Sequence, residues 1–163
     1  TTEWDMLSLP VQQLASLLQR QGASYRAILQ QNYLVKKLLP KGVIRKLSQD
    51  ELAAYEKPFP TPLTRKPLWQ YVNDLPLGSG PDDVIELIAG YSAWLQKTDI
   101  PKLMLYAMPG FITPISTVAW AKENLPQLTV VGLDDVMHFA QESVPEFFSQ
   151  SIRQWHDSLF ARR

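Results

Sequence analysis

Cysteine is absent from all 163 residues. Disulfides, thiolate metal sites and cysteine nucleophiles are therefore not available to this chain. An excess of either charge is also missing: Lys+Arg and Asp+Glu are 16 each, for a formal net charge of zero. A nucleic-acid partner would need a basic face, so none is expected. The densest basic spots, Lys36-Lys37 and Arg162-Arg163, read as solvated helix ends. No apolar run approaches the roughly 20 residues that span a bilayer, so no membrane partner is expected. The opening residues Thr1 to Asp5 carry no basic stretch, so a secretory leader is not expected and cytoplasmic residence is. They also lack an initiator methionine, which leads us to expect a chain that starts partway through a longer protein, or one that was processed.

Common catalytic signatures are missing too. There is no Gly-x-Ser-x-Gly elbow, no P-loop and no dinucleotide fingerprint. The only histidines, His138 and His156, do not have zinc-ligand spacing, so no metal and no cofactor is expected.

What is present is a folded α/β pattern. Residues 11–19 place Val11, Leu14, Leu17 and Leu18 on one stripe, which predicts a helix. A second helix is predicted over 24–39, stopped by Pro40. A third opens at Ser48-Gln49-Asp50-Glu51, a capping box, and ends near Pro58. Residues 58–81 are rich in Pro and Gly and read as ordered loop, with short helical pieces near 68–72. Pro81, Asp82 and Asp83 suit the start of a helix running to about Lys97. Then the pattern changes: a strand over 102–107, a helix over 114–124, a strand over 128–133 and an amphipathic helix over 145–160. Strand, helix, strand implies a parallel crossover.

Two parallel strands do not make a stable sheet, and their outer edges would present unpaired amides and carbonyls. A further segment is expected to complete the sheet.

In open parallel sheets, functional groups gather beyond the carboxyl ends of the strands. His138 lies just after the second predicted strand, in the run His138-Phe139-Ala140-Gln141-Glu142. That position fits a general base, and it equally fits a loop histidine with a local hydrogen bond. His156, within the last helix, reads as an exposed helix residue. The stretch after the first strand, Met108-Pro109-Gly110-Phe111-Ile112, contains no acid.

Taken together these motifs resemble one family, the haloalkane dehalogenases, and within it the branch that includes Renilla-type luciferases. The run 47–59 with its Ser48, Glu51, Tyr55 and Phe59 resembles the family's cap. So does Asn73-Asp74-Leu75-Pro76-Leu77. Ile100-Pro101-Lys102-Leu103, leading into Pro109-Gly110, resembles a core strand, and His138 to Glu142 resembles the histidine motif. The likeness is collinear over nearly the whole chain, from Glu3-Trp4 to the C-terminal helix. Val72, Val136 and Ser143 stand where the family more often has proline, glycine and aspartate.

The resemblance implies the C-terminal part of an α/β-hydrolase: a helical cap (1–80) followed by the last strands and helices of the core (81–163). It implies a hydrolase that cleaves carbon–halogen bonds through an alkyl-enzyme ester. The nucleophilic aspartate, the acid partner and the halide donors would lie outside this chain, which would supply the general base His138. Leu7, Leu34 and Leu38 match cap positions facing the active site, and Phe111, Ile112 and Phe139 match core-loop positions lining it. The implied partners are an apolar halogenated substrate, water, the halide product and the N-terminal half of the core. The isolated chain is expected to be inactive. Alternative readings are another α/β-hydrolase activity, such as an epoxide hydrolase or coelenterazine-type luciferase, and a non-catalytic fragment.

Overall fold

A computed structural model of the chain describes residues 12–14, 16, 20, 22–75, 81–108, 114–134 and 136–161. Two compact units divide between Leu87 and Ile88.

The first unit is helical. The helix expected over 11–19 lies largely outside the described residues; Gln12, Gln13, Leu14 and Ser16 are helical. The helix expected over 24–39 is built differently. Two π-helical runs, Tyr25–Gln30 and Leu34–Leu38, flank a break at Asn32, whose φ is 52°. A left-handed residue cannot continue a right-handed helix, so the run is cut there. Pro40 does not stop the second run. It sits inside a short α-turn, α1 (Leu39–Lys41), in a first-turn position. There its missing N–H forfeits no hydrogen bond. The helix closes instead at Gly42, whose amide reaches Leu38 O and Leu39 O.

Helix α2 (Gln49–Glu56) begins at the capping box as expected. The Glu51 amide donates to Ser48 Oγ, and the Ser48 amide donates to Glu51 Oε2. Helix α3 (Lys66–Asn73) is longer than the pieces expected near 68–72. Its inner face carries Leu68, Trp69 and Val72 onto Ile28, and Leu14, Tyr33 and Leu34 pack around them. Ile28 and Val72 are buried.

Arg65, just before α3, ties this unit together. Its Nη1 donates to Leu29 O (2.8 Å) and Gln30 O (3.2 Å), its Nε to Phe59 O (2.9 Å) and its Nη2 to Pro60 O (3.0 Å). One buried guanidinium thus joins the end of the first π-helical run to the loop before α3. The Trp69 indole adds a bond to Ser24 Oγ at 3.1 Å.

In the second unit the alternation of strands and helices follows the expectation closely. Helix α4 (Asp82–Leu95), which contains the division between the units, starts with two acids in its first turn, a charge suited to the helix start. Strand β1 (Lys102–Met108) pairs in parallel with β2 (Leu128–Asp134), Lys102 opposite Leu128 and Met108 opposite Asp134. Helix α5 (Ile115–Asn124) connects them and packs on β2. A short helix α6 (Ala140–Ser143) and the long α7 (Pro145–Phe160) follow, and α7 packs on both strands. The small helix α6 was not anticipated. It forms because Phe139 O accepts both the Glu142 and the Ser143 amides. The core of this unit is Leu133, Val136 and Ala140, with Leu105, Ala107, Val144 and Phe148 against them. Among the described residues, no helix is long and apolar enough to cross a membrane.

Candidate functional site

The site candidate is a single loop at the carboxyl end of β2. Leu133 closes the strand's inner face at 1% exposure, and Val136 and Ala140 are buried with it. Val136 precedes His138 by two positions and Ala140 follows it by two, so apolar anchors hold the loop on both sides of the histidine. Burying a side chain such as Val136 is worth about 1.5–3 kcal/mol, enough to hold a short bend in one place. Ser143 adds a side-chain bond to Phe139 O at 3.2 Å.

His138 stands at the bend, exposed to solvent on one side. Its ring meets that of Phe139 edge-on, with centroids 4.6 Å apart and planes at 63°. Packing on its inner side removes water from the imidazole and holds its pKa below the ordinary histidine value. The neutral ring is therefore favoured near neutral pH. A neutral imidazole still in reach of water can take a proton from it.

Phe139 is half-buried beside the histidine. In the first unit, Leu34 is half-buried against the Ile28–Val72 cluster, and Leu38 is half-buried in the second π-helical run. Leu7, Phe111 and Ile112 lie outside the described residues. His156 is exposed on α7, with Nδ1 3.4 Å from Asp157 Oδ1. Among the described residues, no group of three or more His, Asp or Glu could hold a metal ion.

Asn32 and Arg65, two buried polar residues of the first unit, were missed in the sequence. Nothing marks Arg65 between Thr64 and Lys66 as the residue that will find carbonyls some 35 positions away. Asn32 carries a weak signal, since asparagine is among the few residues at ease with positive φ.

No protein-family model matches the chain. A sequence likeness is nevertheless clear. The chain is 31% identical over 142 residues to a haloalkane dehalogenase of Bradyrhizobium diazoefficiens, covering 87% of this chain and 46% of that protein. It is 33% identical over 147 residues to a haloalkane dehalogenase of Sphingobium indicum, covering 88% of this chain and 47% of that one. The crystal structure of a haloalkane dehalogenase from Bradyrhizobium elkani superposes with a TM-score of 0.90 at 28% identity, over 98% of this chain and 55% of that one. One from Agrobacterium tumefaciens superposes at 0.82 and 26%, over 93% and 52%.

The parallel pair and its flanking helices are thus those of part of an α/β-hydrolase fold. More narrowly, the chain is a homologue of the haloalkane dehalogenases. It spans about half the length of the curated relatives it matches.

Proposed function

We propose that this chain is the cap-and-base portion of a hydrolase that cleaves carbon–halogen bonds, with residues 1–80 as cap and 81–163 as the C-terminal part of the core. The observation that carries the reading is His138, held between buried Val136 and Ala140 beyond a parallel strand, in a chain similar to haloalkane dehalogenases. In the proposed reaction a carboxylate from the N-terminal half attacks the halogen-bearing carbon. A C–O bond forms, the carbon–halogen bond breaks and halide leaves. His138 then takes a proton from water as its oxygen adds to the ester carbonyl. Collapse of that adduct frees the alcohol and restores the carboxylate, and the imidazolium returns its proton to solvent. The reading assigns substrate contact to Leu7, Leu34, Leu38, Phe111, Ile112 and Phe139, whose apolar side chains suit an alkyl halide. The reading includes cytoplasmic residence.

Two features support a partner segment. Among the described residues the sheet has only two strands, fewer than a stable sheet needs. Helix α4 also leaves Leu87, Tyr91 and Trp94 exposed, a spacing that puts all three on one face. An N-terminal half of the core would complete the sheet.

The test combines the chain with an N-terminal half carrying the nucleophile and measures halide release from a short 1-haloalkane. Release is expected from the pair and not from the chain alone. In the paired protein, His138→Phe should stall as the alkyl ester, seen as a mass increase equal to the alkyl group less one hydrogen. Normal turnover by that variant would remove His138 from its role.

A further inference from the structure

We propose that Asn32 is the seat of an internal water-binding site at the junction of the two π-helical runs. Three departures from low-energy structure meet at this residue. Its backbone is left-handed, at φ 52°. Its side chain is enclosed, at 1% exposure. Among the described residues, neither Oδ1 nor Nδ2 has a hydrogen-bond partner.

The backbone alone does not account for the amide. Asparagine tolerates positive φ because its short side chain can bond locally, and here it makes no such bond. Among the described residues, the other non-glycine residue with positive φ, Gln127 at 54°, is exposed, so solvent is in reach of its side chain. The main chain of Asn32 is already paired: its amide donates to Ile28 O at 3.2 Å, and its carbonyl accepts from Lys36 N at 2.9 Å. What remains is an enclosed carboxamide with two donors and an acceptor. Buried polar groups are almost always bonded, and an unpaired one carries a heavy desolvation cost.

The unpaired atoms define the ligand. A halide would engage only Nδ2, and a cation only Oδ1. The nearby buried cation, Arg65, already has four carbonyls. A neutral molecule that both donates and accepts satisfies the two atoms together, and water is the smallest of that kind. Internal waters commonly make about three hydrogen bonds to polar groups of this kind. Wide π-helical turns on either side provide main-chain groups near the break, and such turns cluster at functional positions.

Two measurements on the full protein test the proposal. A high-resolution crystal structure should show ordered water about 3 Å from both Nδ2 and Oδ1 of Asn32. In solution, the Asn32 side-chain amide protons should give a direct cross-relaxation signal to water, and Asn32→Gly should delete those resonances and so assign them. Density showing both atoms bonded directly to protein groups, or an assigned amide with no water signal, would overturn it. Neither readout depends on dehalogenase activity.

Discussion

Arg45 holds the Glu51 carboxylate through both of its Nη atoms, at 2.9 and 2.7 Å, while the Ser48 amide donates to the same carboxylate at 2.7 Å. One acidic side chain therefore closes the capping box of α2 and anchors the preceding loop. These bonds, Arg45 first and the Ser48 backbone second, hold the Glu51 pKa at about 2. A lowered carboxyl pKa stabilises the fold fully above the ordinary 4.5, and that contribution is lost as pH falls through about 2. We expect Glu51→Gln to flatten the part of the Tm-against-pH curve that lies between those values. An unchanged acid profile in the variant would show that Glu51 adds no pH-dependent stability.

Arg65 is a cation bonded to four main-chain carbonyls from two separated segments. Truncation leaves those carbonyls without their charged donor. Arg65→Ala should lower unfolding free energy by roughly 3 kcal/mol or more, since bonds to charged groups are among the stronger ones. Arg65→Lys should recover only a fraction, because an ammonium cannot span the directions a planar fork covers. Denaturant titration of the three proteins checks this, and equal midpoints for Lys and Arg would refute the fork argument.

Gly132 of β2 stands opposite Tyr106 of β1. A Cβ at position 132 would sit 3.2 Å from the Tyr106 hydroxyl oxygen and 3.3 Å from Cζ. Gly132→Val should force the tyrosine ring aside and cost about 1–3 kcal/mol, as overpacking does. Gly132→Val combined with Tyr106→Ala should recover part of the loss. A double variant no more stable than Gly132→Val alone would mean the ring is not what Gly132 accommodates.

The His138 pKa is depressed by desolvation, below its ordinary 6.5. The unfolded chain therefore binds a proton more readily than the folded one over the window just beneath that value. Stability is full above about pH 6.5 and falls as pH drops toward the folded-state pKa. We expect His138→Gln to remove that component of the Tm-against-pH curve.

Much of this architecture was legible because its causes are local. Ser48 and Glu51 declare the start of α2 by side-chain chemistry confined to four consecutive residues. The apolar runs of β1 and β2 and the helix between them declare a parallel crossover. His138 was locatable because it follows the second strand directly. The π-helical runs were not legible, since Tyr25–Gln30 and Leu34–Leu38 have the apolar spacing of an ordinary helix and only Asn32 hints at the break. The reach of α3 to Lys66 escaped because Pro67 reads as loop until its first-turn position is known.

By itself, then, the order of residues determined the starts of α2 and α4, the parallel strands and the place of the candidate base, because capping, periodicity and chain neighbours act over a few positions. Tertiary structure alone decided that Arg65 collects the carbonyls of Leu29 and Phe59, that Val136 and Ala140 bury together around His138, and that the Asn32 amide is enclosed. Those outcomes depend on which distant groups share a buried space once water has left it, and no local pattern encodes that.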